Sequence, residues 1–253
     1  MIKKIILGLP IFLFSCCASA QTTQASDQDK ARLVGEIGLA VFNTGSLTKS
    51  QEGGSNVLPY VYATYGDIFA RIDTLGIKVL PIGHGNLEIS TRISLEGYEQ
   101  KIGTSVRKIS NPTPIGISTS QVTSYGALFA YGFYDPISEG TLLDMTYATK
   151  FKAGSFTLFP QLGIERRSAK YVQHLYGVTT QVAAASPIGI SPYAPGASIG
   201  PYIGMTVDYA LDQNTSLKFN LRNKWFDRNI SDSPLVGLKS QMNGFFAITY
   251  DFK

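Results

Sequence analysis

The stretch Leu217 to Trp225 sets Leu217, Phe219, Leu221 and Trp225 against Lys218, Asn220, Arg222 and Lys224. That period of two puts every apolar side chain on one face of an extended strand and every cation on the other. No helix can sort these residues so. The same alternation recurs at Leu87 to Leu95, where Leu87, Ile89, Ile93 and Leu95 oppose Glu88, Ser90, Arg92 and Ser94. Leu143 to Phe151 and Phe156 to Ile164 flank Ala153-Gly154-Ser155 and read as a hairpin. Weaker segments are Leu33 to Phe42, Val57 to Tyr65, Phe69 to Leu80, Tyr125 to Tyr134 and Ile199 to Tyr209. A terminal strand, GFFAITYDFK (244 to 253), brings the count to about ten. Pro160 and Pro201 weaken two of them, because proline removes a ladder hydrogen bond.

The first twenty residues stand apart. Lys3 and Lys4, an apolar run from Ile5 to Phe14, and Ala18-Ser19-Ala20 before Gln21 have the charge, apolar core and cleavage site of a secretory signal peptide. An acylation site at Leu13-Phe14-Ser15-Cys16 is the lesser alternative, since bulky Phe14 stands where a small residue is usual. Cleavage after Ala20 removes both cysteines, Cys16 and Cys17, and leaves an exported chain with no thiol chemistry. It also brings the charge balance close to neutral, so charge argues for no nucleic-acid partner. Beyond the signal there is no uncharged apolar run of about 18 residues, so a membrane-resident form must be a closed barrel. The expected organisation is a signal peptide at 1–20, a short periplasmic segment at 21–32 and a barrel at 33–253.

Alternation alone leaves open whether the apolar face looks inward or at lipid. The opposite face mixes charges with small residues, as at Lys218, Arg222, Asp144, Lys150, Gly200, Gly204 and Thr206, which suits a polar lumen. Aromatics crowd the strand ends at Tyr60, Tyr62 and Tyr65, at Tyr131, Phe133 and Tyr134, at Trp225 and Phe226, and at Tyr250 and Phe252, as interface girdles require. The expected fold is an all-β, transmembrane, antiparallel up-and-down β-barrel of about ten strands, with twelve as the alternative. Short turns at Gly66-Asp67, Ala153 to Ser155 and Leu211 to Asn214 fall on the periplasmic side. Asn43 to Asn56, Pro81 to Asn86, Asp135 to Gly140, Ser168 to Ala197 and Asp227 to Leu238 fall outside. Glu99 to Val122 breaks the pattern, being long yet counted to the periplasmic side. Either a pair of strands hides in the chain, or this segment, with Lys101, Arg107, Lys108, Pro112 and Pro114, plugs the lumen or contacts a partner.

Several stretches together resemble the MltA-interacting protein / OmpV family of outer-membrane proteins. They are LPYVYATYGDIFAR (58–71), LEISTRISLEGY (87–98), GTLLDMTYATKF (140–151), FPQLGIERRSAKYVQHLYGVTTQVAAAS (159–186) and SDSPLV (231–236). The family's Pro-x-Tyr-x-Gly-Ser near the first strand is reduced to the Gly-Ser of VFNTGS (41–46). The resemblance implies a Gram-negative outer-membrane barrel, and a scaffold role in peptidoglycan biosynthesis that joins a lytic transglycosylase to a murein synthase. Phe246, Ile248, Tyr250 and Phe252 in the last strand resemble the signal by which the barrel-insertion machinery recognises its clients in the outer membrane.

Chemistry finds little footing. His84 and His174 are the only imidazoles, and neither has a serine or aspartate at a spacing that proposes a triad. Two histidines make no convincing metal site, and no cofactor motif is present; the expectation is no enzyme and no cofactor. Lys218, Arg222 and Lys224 either favour anions in a pore or pair with acids such as Asp144, Asp208 and Glu88 in a narrow lumen. A scaffold, a small-solute channel and a surface adhesin remain as functions of different classes.

Overall fold

The computed structural model describes residues 32–49, 54–102, 105–186 and 189–252, without the side chains of 100–107. The expected signal peptide, all of the 21–32 segment except Arg32, the terminal Lys253 and the Lys101 and Arg107 side chains lie outside the described residues. The chain forms β1 (Leu33–Thr44), β2 (Gly54–Tyr65), β3 (Ile68–Arg71), β4 (Thr74–Ile82), β5 (Gly85–Arg92), β6 (Tyr98–Ile102), β7 (Ser105–Ile109), β8 (Ile115–Thr123), β9 (Gly126–Asp135), β10 (Gly140–Ala148), β11 (Phe151–Ala153) and β12 (Phe156–Arg167). Helices α1 (Ala169–Tyr176) and α2 (Thr180–Ala184) follow, then β13 (Ser198–Ala210), β14 (Thr215–Trp225), α3 (Arg228–Ser231) and β15 (Ser240–Phe252).

Every strand of the main sheet is antiparallel to its neighbours, and β15 pairs with β1 from Gly35↔Phe252 to Thr44↔Asn243. β10 pairs with β12, which completes a closed cylinder. β10 and β11 are two halves of one wall: the register onto β12 is the same on both sides of the break at Thr149-Lys150. The cause lies opposite, at Pro160. Thr149 donates its N–H to the Pro160 carbonyl at 3.1 Å, but Pro160 has no N–H to return. Counted as walls, the strands are therefore twelve, the even number that an up-and-down barrel with both ends on one side requires.

Two extra walls correct the count of ten. The segment Phe69 to Leu80 reads as one strand but is two, because the chain reverses at Ile72-Asp73. Ile72 takes a left-handed conformation (φ 55°), which a β-branched residue rarely accepts. Nothing in an Arg-Ile-Asp-Thr string advertises such a turn. The other hidden wall, β8, sits in the second half of the anomalous segment Glu99 to Val122. Both corrections restore the loop pattern. Residues 93–114, with the β6–β7 hairpin, lie on the same side as the other long connections, not on the short-turn side. Gly83-His84, expected among the outer loops, is a tight turn on the short-turn side.

The walls are unequal. β3 pairs with only Tyr62 to Tyr65 of β2, so the upper half of β2 is hydrogen-bonded to β1 alone among the described strands. Val61 directs its carbonyl to Ile72 N at 2.8 Å, so residue 59, two positions earlier, points its backbone the same way, toward the unpaired edge. That residue is Pro59, whose missing N–H costs no ladder bond there.

Large apolar side chains stand exposed around the outside, among them Leu39, Val57, Ile77, Ile117, Leu162, Ile203, Phe219 and Ile248. An apolar belt of this extent on a closed wall is a lipid-facing surface. The aromatics are divided. Tyr65, Tyr134, Trp225 and Tyr250 are outward and exposed, as girdles need, whereas Tyr60, Phe133 and Phe226 are buried. Tyr60 packs inside the barrel with Phe42 and Phe245, whose ring centroids lie 5.2 Å apart, over the small pair Ala40 and Ala247.

Candidate functional site

With apolar residues outward, the same alternation carries the charged ones into the lumen, where few waters and no lipid can solvate them. They pair. Arg71 donates to both carboxylate oxygens of Glu88, at 2.9 and 2.6 Å, and Ser118 Oγ donates to the same carboxylate at 3.0 Å. Arg92 Nη1 reaches Asp144 at 2.8 Å, and the Tyr202 hydroxyl donates to the other oxygen of Asp144 at 2.7 Å. Tyr202 reaches that far because residue 163 is glycine: a Cβ there would meet the Tyr202 ring at 2.3 Å. Lys218 bonds Asp208 and lies 2.9 Å from Glu36. Arg222 has no acid within ion-pair reach among the described residues; it donates to Gln161 Oε1 at 3.1 Å and lies over the Tyr202 ring.

Toward the loop side the network becomes denser. Glu165 accepts from Arg167 Nε at 2.5 Å and from Lys224, while Arg167 also bonds Glu96. Tyr171 donates its hydroxyl to Glu96 at 3.1 Å, tying the ion pairs to α1. Above them lies an apolar core made mostly of loops: Leu47, Tyr98, Ile109, Tyr171, Val172, Leu175, Tyr176, Phe226, Ile230 and Val236, resting on Phe133 and Leu142 of the wall. Tyr98 OH donates to Leu175 O at 2.6 Å, and Ser233 Oγ to Tyr176 O at 2.7 Å. Lys49 N donates to Leu235 O at 2.8 Å, stitching the first loop to the last. Burial pushes the Tyr171 and Tyr176 phenols well above their ordinary range, with the Glu96 charge adding to both, so they remain neutral donors. The loop end thus carries a folded cap with its own core.

The lumen charges suggested by alternation sit inward; Lys218 pairs with Asp208, one of the acids expected, but the other pairings differ. Lys224 takes Glu165, and Glu88 takes Arg71, a residue of the hairpin that alternation concealed. Of the suspected plug, Pro112 and Pro114 are fully buried between β7 and β8, and Lys108 is exposed. His174 Nε2 lies 2.9 Å from Ser110 O in the cap, and His84 sits at the opposite end of the barrel. The two imidazoles therefore share no site. Among the described residues no His, Cys, Asp or Glu group converges as a metal site. On the terminal strand, Phe246, Ile248 and Tyr250 are exposed on the outer face, and Phe252 shares that parity at the seam. The cap was missed because its residues come from four separate connections, none with a periodicity of its own.

The Glu165 carboxylate is the shared acceptor of two buried cations. Glu165→Ala leaves Arg167 and Lys224 facing each other, and should cost about 3–5 kcal/mol. The expected outcome is a marked fall in the temperature at which the compact, unheated form is lost on a gel, with a smaller fall for Glu165→Gln.

The family model described as MltA-interacting protein MipA matches residues 37–252. The MltA-interacting proteins of Escherichia coli (strain K12) and Shigella flexneri are each 28% identical over 123 residues, which is 48% of this chain and 49% of theirs. The chain thus spans about half the length of the curated relatives it matches. Among solved structures, outer-membrane expressed OmpT of Vibrio cholerae is 8% identical, with a TM-score of 0.38 over 87% of this chain and 97% of that one. The outer membrane channel DcaP of Acinetobacter baumannii is 8% identical, with a TM-score of 0.34 over 87% and 96%. Likenesses this distant carry no argument, and the barrel rests on its own strand pairing. The matched region begins within β1 and ends at the last residue of β15, the whole closed wall, and the chain belongs to the MltA-interacting protein MipA family.

Proposed function

We propose that this protein is an outer-membrane barrel that anchors murein-remodelling enzymes in the periplasm, a lytic transglycosylase first and a murein synthase second. The observation that carries the reading is the family match across the entire wall, 37–252. The relatives' name, MltA-interacting protein, supports a lytic transglycosylase as the partner. The signal-like first twenty residues and the lipid-facing exterior support the location. In this reading the short turns face the periplasm, as in outer-membrane barrels generally. The enzyme contact then falls on that rim, around Asp67, Lys152 and Asp212, and no longer on the 99–122 segment. Tagged protein should capture the transglycosylase from envelope extracts. Alanine at Asp67, Lys152 and Asp212 together should weaken capture several-fold, while shortening the β6–β7 hairpin should leave it intact. Capture that survives the rim variant and is lost with the hairpin would reverse the orientation.

The last strand serves assembly in this reading. Its outward aromatics are met by the insertion machinery and then set against lipid, beside the seam with β1. Phe252→Asp should lower the amount of assembled barrel in the outer membrane while export continues, measured by fractionation and heat-dependent gel mobility. Undiminished assembly would remove the terminal aromatic from that role.

A further inference from the structure

Lys78 on β4 and Glu88 on β5 are register partners, directly opposite each other on the inner face. Such a pair ordinarily forms the cross-strand ion pair itself. Here it does not. Glu88 is fully buried and already accepts both arms of the Arg71 fork and the Ser118 hydroxyl. Arg71 is held in place by stacking 4.0 Å over the Phe69 ring. A planar, preorganised fork satisfies both carboxylate oxygens at once and displaces a flexible ammonium from the same acid. Lys78 is left half-buried, with no acid in ion-pair reach among the described residues.

The space beside it is a cavity of about 270 Å³, lined also by Tyr62, His84, Asn86 and Ser120. These are polar groups, several of them hydrogen-bond donors. The cavity lies toward the short-turn end, since His84 forms the β4–β5 turn, and the folded cap stands at the other end. We propose that this cavity binds a small carboxylic acid, with Lys78 as the counter-ion and the surrounding polar groups as donors. One uncompensated monovalent cation matches one carboxylate; Arg71, its charge already answered by Glu88, adds no second. The inference is independent of the murein reading.

Titration calorimetry on the purified barrel in detergent tests it, with N-acetyl-alanyl-alanine as probe and its C-terminal amide as control. The acid should bind saturably and the amide at least about tenfold more weakly, because the charge-assisted contact is lost. Lys78→Gln should weaken binding of the acid by a similar factor, and Lys78→Arg should retain most of it. Heat-dependent gel mobility checks that each variant is folded; should Lys78→Gln not fold, the acid-against-amide comparison on the wild type decides. No binding of the acid, equal binding of acid and amide, unchanged binding by folded Lys78→Gln, or tighter binding of inorganic phosphate than of the acid would each overturn the proposal.

Discussion

A wall set in lipid must satisfy its own backbone, because hydrocarbon offers no hydrogen bonds to a free N–H or C=O. The β1–β15 seam meets that requirement, and much else follows from it. Closure demands an even number of walls when both chain ends lie on one side. It also fixes where proline is tolerated. Pro59 falls on the one long stretch of β2 that lacks a second neighbour, and Pro160 breaks β10 from β11 at the carbonyl it cannot serve. At these two prolines the wall is one-sided or interrupted.

Closure then decides the chemistry of the interior. Strand alternation that turns Leu, Ile and Phe outward turns Lys, Arg, Asp and Glu inward, into a lumen narrow enough that side chains span it. Isolated buried ions are too costly there, so each finds an opposite charge, a hydroxyl or a ring. Arg71 with Glu88, Arg92 with Asp144, and Glu165 with Arg167 and Lys224 are the result. The same residues couple wall to cap, since Arg167 bonds Glu96, which Tyr171 of α1 also holds. Lys78 is the exception that the pairing leaves over.

Strand identity was legible wherever alternation was clean, as along β14 and β15, where parity alone tells inside from outside. It failed at Ile72, since turns are recognised by residues that favour left-handed backbone and isoleucine is the opposite of one. Missing that reversal inverted the side assigned to Gly83-His84. The same reversal put the segment after β5 at the short-turn end, and missing β8 made 99–122 look like one long connection there. Inward positions such as Lys224 and Asp144 could be named, but not their partners: Lys224 and Glu165 are far apart in the chain and meet only because β12 and β14 flank β13. The cap was illegible for a related reason. Its buried residues, from Leu47 to Val236, converge only once the barrel brings four loop-side connections together.

The central claim is that side-chain pairing and a folded cap close this barrel. Conductance across planar bilayers tests it most directly, comparing the intact protein with one whose β6–β7 hairpin and α1 core residues Tyr98, Tyr171 and Leu175 are replaced by serine or glycine. The account predicts no steady conductance from the intact barrel and ion-conducting events once the cap is loosened. A stable open channel from the intact protein, unchanged when the cap is loosened, would contradict it.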